Sequence, residues 1–447
     1  MQSSNDITRL IEEANIALDN LDAQEFLSIG LACVEASVPP IKLAQLAIKA
    51  RQRGLADCGR QLLEQYRATG SKPDEAIYVE LAFQKRLAGL HDEAAELFSA
   101  AAALPNSRFS TKLNEIHMLF SAGSFDRARS LIASVTTISS SQYQLLHSMS
   151  EFGNYLESFP KQYSERKFSV IRSSERWLDH DQVSRKILDA IESKSAFSLI
   201  RLGDGEGAFL RIDKDDERSY QNLYDANRQN RMAMWFGSQF DWRKNGFFEE
   251  TQNLHKSIQT SDIVAIPDLA WLGNGYSISS QSGIPSLVNI MRLFSNPTQL
   301  PEDLNFTKAT IAKDLHLHGY FEVILRAIKR VTIISCLPDL PNLMRGYFGI
   351  KDVTFLQIPG EQGSREALGG QVDFSTHYPE IYRQVQNALD KPWRGEVVLI
   401  AGGILGKLYA SNIKQHGGIA LDIGSLADRW LGKKTRPGDD PRFKLDL

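Results

Sequence analysis

Four aspartates set the first constraint on this chain. Asp22, Asp57, Asp92 and Asp126 stand 35, 35 and 34 residues apart, each closing a short loop (DNLD, RGLAD, AGLHD, AGSFD). A leucine follows five residues after each one: Leu27, Leu62, Leu97 and Leu131. Gly54, Gly89 and Gly123 precede the last three aspartates by three residues. Each Asp is suited to cap a following helix by accepting hydrogen bonds from its orphan N–H groups. Each Gly can end the preceding helix in a left-handed conformation. The first 140 residues are therefore expected to form four helical hairpins stacked as a short solenoid, whose faces are buried mainly against neighbouring units.

Within this region the stretch DEAAELFSAAAALPN, Asp92 to Asn106, resembles the tetratricopeptide repeat, with Ala94, Phe98 and Pro105 near its small, aromatic and proline positions. The other units are degenerate, and a plain helical bundle is the alternative. Either stack presents a groove to a partner more readily than it does chemistry.

At 447 residues, with 42% hydrophobic and 23% charged, the chain is long enough for two or three units with real cores. Basic and acidic residues nearly balance, 51 against 54, so the chain lacks the electrostatic footprint of a nucleic-acid binder. Cys33, Cys58 and Cys336 are far apart and lack metal-ligand spacing, which reads as buried free thiols, not as disulfides or a zinc site. The first residues, MQSSNDITRLIEEANIALDN, are amphipathic and acidic, without the apolar run of a signal peptide. No segment has the roughly 18 apolar residues of a membrane span. A cytoplasmic protein with no membrane span is the expectation.

Behind the repeats the texture changes. Residues 141–168 read as a bridging helix and linker, and 169–436 as an α/β domain, followed by a tail at 437–447. Strand-sized apolar runs alternate with helical patterns: SLIRLG, SDIVAIP, RVTIISCLP, DVTFLQIP, GEVVLIAGG and GGIALDIGS. This alternation predicts a largely parallel, Rossmann-like sheet. Ligands of such sheets sit at the carboxyl ends of the strands, which directs attention to the residues just after each run.

The first run ends in Arg201-Leu202-Gly203-Asp204-Gly205-Glu206-Gly207. Glycines interleaved with carboxylates make a tight loop that a ligand can approach closely. If the segment is extended or turning, Asp204 and Glu206 can face one side and share a hard cation, Mn²⁺ or Mg²⁺, completed by water and phosphate oxygens. Arg201 is placed to add a phosphate contact. By itself this is also ordinary surface-turn composition.

The stretch from Val183 to Ile212, VSRKILDAIESKSAFSLIRLGDGEGAFLRI, resembles the opening of the bacterial glycosyltransferase family with the GT-D fold, whose R-[FL]-G-D-G-E segment carries a metal-binding D-x-E. Val397 to Trp430 is similar to that family's closing strand–helix–strand, with its G-G-x-A-x-D-x-G-S pattern. The resemblance covers about residues 165–436 and leaves out the repeats. It implies sugar transfer from a nucleoside-diphosphate-sugar donor, a UDP-sugar first among them, to a protein or surface-glycan acceptor. Asp204 and Glu206 would stand at the metal, and Arg201, Gly203 and Gly205 at the donor. The rival expectation is an inactive helical-repeat adaptor.

Other positions divide between chemistry and structure. Gly402-Gly403 with Lys407 superficially resemble a phosphate loop, but the Walker A spacing fails. They either bind the donor diphosphate at a helix start or serve strand–helix packing. Asp422, inside an apolar run, reads as structural. Asp314, His316 and His318 have metal-like alternation on a strand, yet FTKATIAKDLHLHGYFEVILRAIKR reads mostly as helix. Glu361, just after a strand, is the first choice for a general base, with Asp373 and His377 behind it. Asp268 and Trp271 follow another strand.

Overall fold

The computed structural model describes residues 4–72, 74–136, 139–211, 213–436 and 441–445. Much of the expected tail, residues 437–440, 446 and 447, lies outside the described residues. The chain divides into two compact units. One runs up to Leu146 and includes Tyr276–Ser279; the other comprises His147–Gly275 and the chain from Ser280 onward.

The first unit holds the expected hairpins: Ser4–Asp19 with Ala23–Glu35, Pro40–Gln52 with Ala56–Ala68, Glu75–Leu87 with His91–Ala102, and Phe109–Ser121 with Phe125–Ser134. Leu62 and Leu97 are buried, and so are Ala94 and Phe98. Phe98 packs edge-on against Phe83 at 5.2 Å. Gly54, Gly89 and Gly123 have φ of +85°, +78° and +70° just past their helices, as expected of left-handed helix ends. The aspartates behave differently. Asp22 caps its helix through the Glu25 N–H, but Asp57, Asp92 and Asp126 lie one residue inside theirs, in the first turn. The preceding residues, Leu55, Leu90 and Ser124, occupy the cap position without a side-chain bond. The three carboxylates act on the helix dipole, an effect of about 0.3–1 kcal/mol each.

The second unit opens with two helices, Ser140–Ser158 (which begins in the first unit) and Lys161–Arg172, where a bridging helix and linker were expected. Beyond them lies a seven-stranded sheet of β1 (Phe197–Arg201), β2 (Ile263–Ile266), β3 (Asn305–Lys308), β4 (Arg330–Ser335), β5 (Asp352–Gln357), β6 (Val397–Ile400) and β7 (Ile419–Asp422). The spatial order is β3-β2-β1-β7-β6-β4-β5, and every pairing is parallel. Six of these strands are the six predicted runs. β3 is the exception: it occupies the segment before Thr310 that reads as the start of a helix. Its Phe306 and Thr307 are buried while the flanking Asn305 and Lys308 are half-exposed, the signature of a short edge strand.

The strands face two ways. Ile200, Val264, Ile266, Val398, Ile400 and Ala420 enter one apolar core, and Leu199, Ile263, Ala265, Val397, Leu399 and Leu421 enter the other. A parallel sheet covered on both sides needs such continuous apolar runs. Each fully buried Val, Leu or Ile contributes roughly 1.5–3 kcal/mol relative to exposure. With both faces occupied, the sheet's carboxyl edge is left to carry a site. No helix among the described residues is long and apolar enough to cross a membrane.

Candidate functional site

At the carboxyl edge a cavity of about 560 Å³ receives residues from the exits of all seven strands, among them Glu206, Trp271, Lys313, Cys336, Glu361 and Lys407. That volume lies in the range of small-molecule sites.

The D-G-E segment is neither extended nor a loose loop. Asp204–Gly207 forms one helical turn, and Glu206, three residues after Gly203, accepts the Gly203 N–H at 2.8 Å. The glycines are there because neighbours press on the backbone. A Cβ at Gly205 would stand 2.5 Å from the Trp235 ring, and one at Gly207 would stand 2.3 Å from the Ser286 carbonyl oxygen on the helix Gly283–Phe294. The Gly207 contact is backbone on backbone and has little room to yield. Gly207→Ala is therefore expected to lower stability by about 1–3 kcal/mol, seen as a reduced melting temperature.

The turn also separates the two carboxylates. Residues two apart on a helix point about 200° from each other, so Asp204 and Glu206 do not project side by side as an extended segment would allow. Asp204 Oδ2 accepts from Arg231 Nη2 at 2.7 Å, and its side chain is 32% exposed. Glu206 is buried, with Oε1 at 2.9 Å from Lys407 Nζ. Burial alone would raise the Glu206 pKa; the Lys407 charge and hydrogen bond, with the Gly203 N–H, outweigh it and hold the carboxyl below its usual range.

Lys407 lies on the helix Gly403–Gln415 and does not project into the cavity as a free cation. Its ammonium meets Glu206, Asp422 Oδ2 at 3.0 Å and the Gly403 carbonyl at 2.9 Å, so its three donors have protein partners. The lysine expected on the donor instead neutralises two buried acids. Gly402 and Gly403 do line the cavity at the start of this helix. Asp422 is 2% exposed and also accepts the Arg201 N–H at 3.1 Å, which agrees with a structural role.

Arg201 carries its charge differently. Its Nε donates to the Ala309 carbonyl at 2.8 Å and its Nη1 to the Ile423 carbonyl at 3.0 Å, so among the described residues main-chain oxygens, not a carboxylate, hold the guanidinium. Gly424, at φ +47°, makes room for it, since a Cβ there would stand 2.4 Å from Nη1. Burial, aided by Arg429, Arg201 and Arg436, holds Lys313 below the ordinary lysine range. A buried lysine depressed by neighbouring arginines marks a place where an anion lowers the free energy.

Glu361 sits on the cavity wall, and its Oε2 is taken by Arg436 Nη2 at 2.7 Å. Asp373 is exposed and holds the Ser375 turn by two 2.8 Å bonds. His377 does reach the cavity, but burial pushes it down to about 3 and its Nε2 pairs with the Tyr409 hydroxyl at 2.9 Å. Trp271 lines the site, while Asp268 accepts its N–H at the start of the helix Leu269–Ser277.

Asp314, His316 and His318 hold no metal-like arrangement. Asp314 pairs with Lys308 at 3.0 Å, His316 accepts from Trp430 Nε1, and His318 stacks on His180. The helix Ile311–Leu317 turns His316 away from Asp314, and His318 follows as its C-cap. Cys33 and Cys336 are buried free thiols and Cys58 is half-buried.

Arg231, Trp235, Lys313, Asp428, Thr435 and Arg436 also line the cavity, unmarked by any motif.

An all-parallel sheet whose strand exits converge on a D-G-E turn and a cationic wall defines an α/β domain of the glycosyltransferase-like kind. Residues 178–430 match the GT-D-like family, described as a GT-D fold-like domain, and the chain belongs to that family. No curated protein and no solved structure matches it significantly.

Proposed function

We propose that the second unit transfers a sugar from a nucleoside-diphosphate-sugar, a UDP-sugar first among them, to a protein or glycan acceptor, with Mn²⁺ or Mg²⁺ at Asp204. The observation that carries this reading is the pairing, in one cavity, of a half-exposed carboxylate with the cations Arg201 and Lys313. A diphosphate needs that complement: planar or point cations for its oxygens, and a carboxylate to seat a hard ion between protein and phosphate.

The donor set suits such an ion in one form. Among the described residues no three His, Cys, Asp or Glu side chains are grouped to hold a metal. One carboxylate completed by water and phosphate oxygens is nonetheless a common Mg²⁺ arrangement. Asp204 is that carboxylate, while Glu206 points away from it and is held by Lys407. The ion supplies stabilisation of negative charge on the departing diphosphate. Arg201 and Lys313 hold the diphosphate, Trp235 and Trp271 offer flat apolar faces to a base or sugar ring, and the helical repeats present the acceptor.

Calorimetric titration of nucleoside diphosphates and their sugars tests the reading. After EDTA treatment, binding is expected to weaken and to return with Mn²⁺ or Mg²⁺ more fully than with Ca²⁺, whose larger shell this site does not complete. A protein that binds none of these ligands under any metal condition is not a sugar transferase of this kind.

A further inference from the structure

Two carboxylates, Glu361 and Asp428, line the same cavity and differ in what holds them. Glu361 is held by a cation: Arg436 donates to its Oε2, and the Ser364 hydroxyl lies 3.4 Å from the same oxygen. Asp428, on the helix Leu426–Trp430, accepts the Thr435 hydroxyl, and the nearby arginine is already engaged by Glu361. Burial raises Asp428 to about 6; the Thr435 bond opposes this, the Glu361 charge adds to it, and Arg436 and Arg429 oppose it. Cys336 faces the same two acids, and burial together with their charges pushes its thiol up to about 12, so it stays protonated. Arg429 lies over the Phe443 ring at 5.2 Å.

The other acids and the histidine of the cavity already have partners, Asp422 among them through Lys407. Asp204 is bound by Arg231, Glu206 by Lys407, and neutral His377 is hydrogen-bonded to Tyr409. Adjacent acids driven apart by their surroundings are how one site divides ionic and proton-transfer roles.

We propose, resting on the sugar-transfer reading, that Asp428 and not Glu361 accepts the proton of the acceptor hydroxyl. The hydroxyl oxygen forms its bond to the anomeric carbon as the carbon–oxygen bond to the diphosphate breaks. The bonding pair leaves with the diphosphate, the hydroxyl proton passes to an Asp428 oxygen, and water later removes it. Glu361 acts as a positioning residue: it holds Arg436 and, by its charge, keeps Asp428 basic enough for the task.

The test is kcat/KM against pH for the full chain and three variants. Wild type is expected to lose activity below about pH 6, as Asp428 becomes protonated. Asp428→Asn, which can still accept the Thr435 hydroxyl, should lose roughly 10²-fold or more in kcat, with donor affinity within about twofold. Glu361→Gln removes a neighbouring negative charge and leaves Arg436 uncompensated, so the acid limb should move to lower pH. Thr435→Val removes a bond that favours the ionised form, so its limb should move to higher pH. Opposite shifts would not arise from general loss of structure. Near-normal turnover by Asp428→Asn, or limbs that stay fixed in the other two variants, overturns the assignment and leaves sugar transfer standing. Failure of wild type to bind or turn over any nucleoside-diphosphate-sugar overturns both.

Discussion

Asp204→Asn should reduce metal-dependent sugar transfer roughly 10³-fold, about 4 kcal/mol of barrier. The substitution keeps the shape of the side chain and removes the half-exposed negative charge that faces the cavity. Without it a divalent ion loses its protein anchor, and the diphosphate departs with less compensation. The variant also weakens the bond from Arg231, worth about 1–3 kcal/mol as a charge-assisted pair, so rates belong well below both melting temperatures. Arg231→Met separates the two effects. It removes the same ion pair but leaves Asp204 fully charged, and it should keep Mn²⁺-dependent donor binding at some cost in stability. Turnover by Asp204→Asn within a few-fold of wild type would show that the ion, if used, is held elsewhere.

What the sequence displayed were features carried by contiguous residues. The 34- to 35-residue period is local: its glycines end helices, and Leu62 and Leu97 enter the core while Leu27 and Leu131 stay half-buried. Three of the aspartates misled by two positions, because a carboxylate serves a helix start equally by capping it or by sitting in its first turn. Six strands announced themselves as apolar runs, since a doubly covered sheet demands them. β3 did not, because an edge strand with two half-exposed ends has no such run, and Ile311 onward is helical.

The site was legible at several strand exits, since Trp271, Glu361 and Gly402-Gly403 line the cavity beside the D-G-E turn, but most clearly along one. Arg201 to Gly207 is a single segment whose composition departs from its surroundings. Arg231, Lys313, Asp428 and Arg436 come from four separate segments and meet only when the sheet assembles. Their residue types are common on any surface, so nothing local distinguishes them. Lys407 shows the same limit in reverse: it stands in a glycine-rich helix start that suggests phosphate, and tertiary structure gives it to two carboxylates instead.

That assignment makes Lys407→Met the most damaging change expected for stability. Lys407 is 5% exposed, and burial alone would depress its pKa; the charges of Asp422 and Glu206 outweigh this and keep it protonated. Removing one member of such a buried set leaves uncompensated charge, at a cost of about 3–5 kcal/mol. The pH dependence identifies the cause. In wild type Glu206 titrates below its unfolded value of about 4.3, so its contribution is complete above that value and fades as pH falls through the folded one. Without Lys407, burial is left to dominate, and the folded pKa of Glu206 moves above its unfolded one. The folded variant then binds protons more readily than the unfolded chain, so its deficit should be greatest near pH 7.5 and shrink towards pH 4.5. Urea melts of wild type and Lys407→Met at both pH values measure it, and adding Glu206→Gln and Asp422→Asn should recover much of the loss at pH 7.5. A deficit equal at both pH values would assign the damage to packing and remove the buried charges as its source.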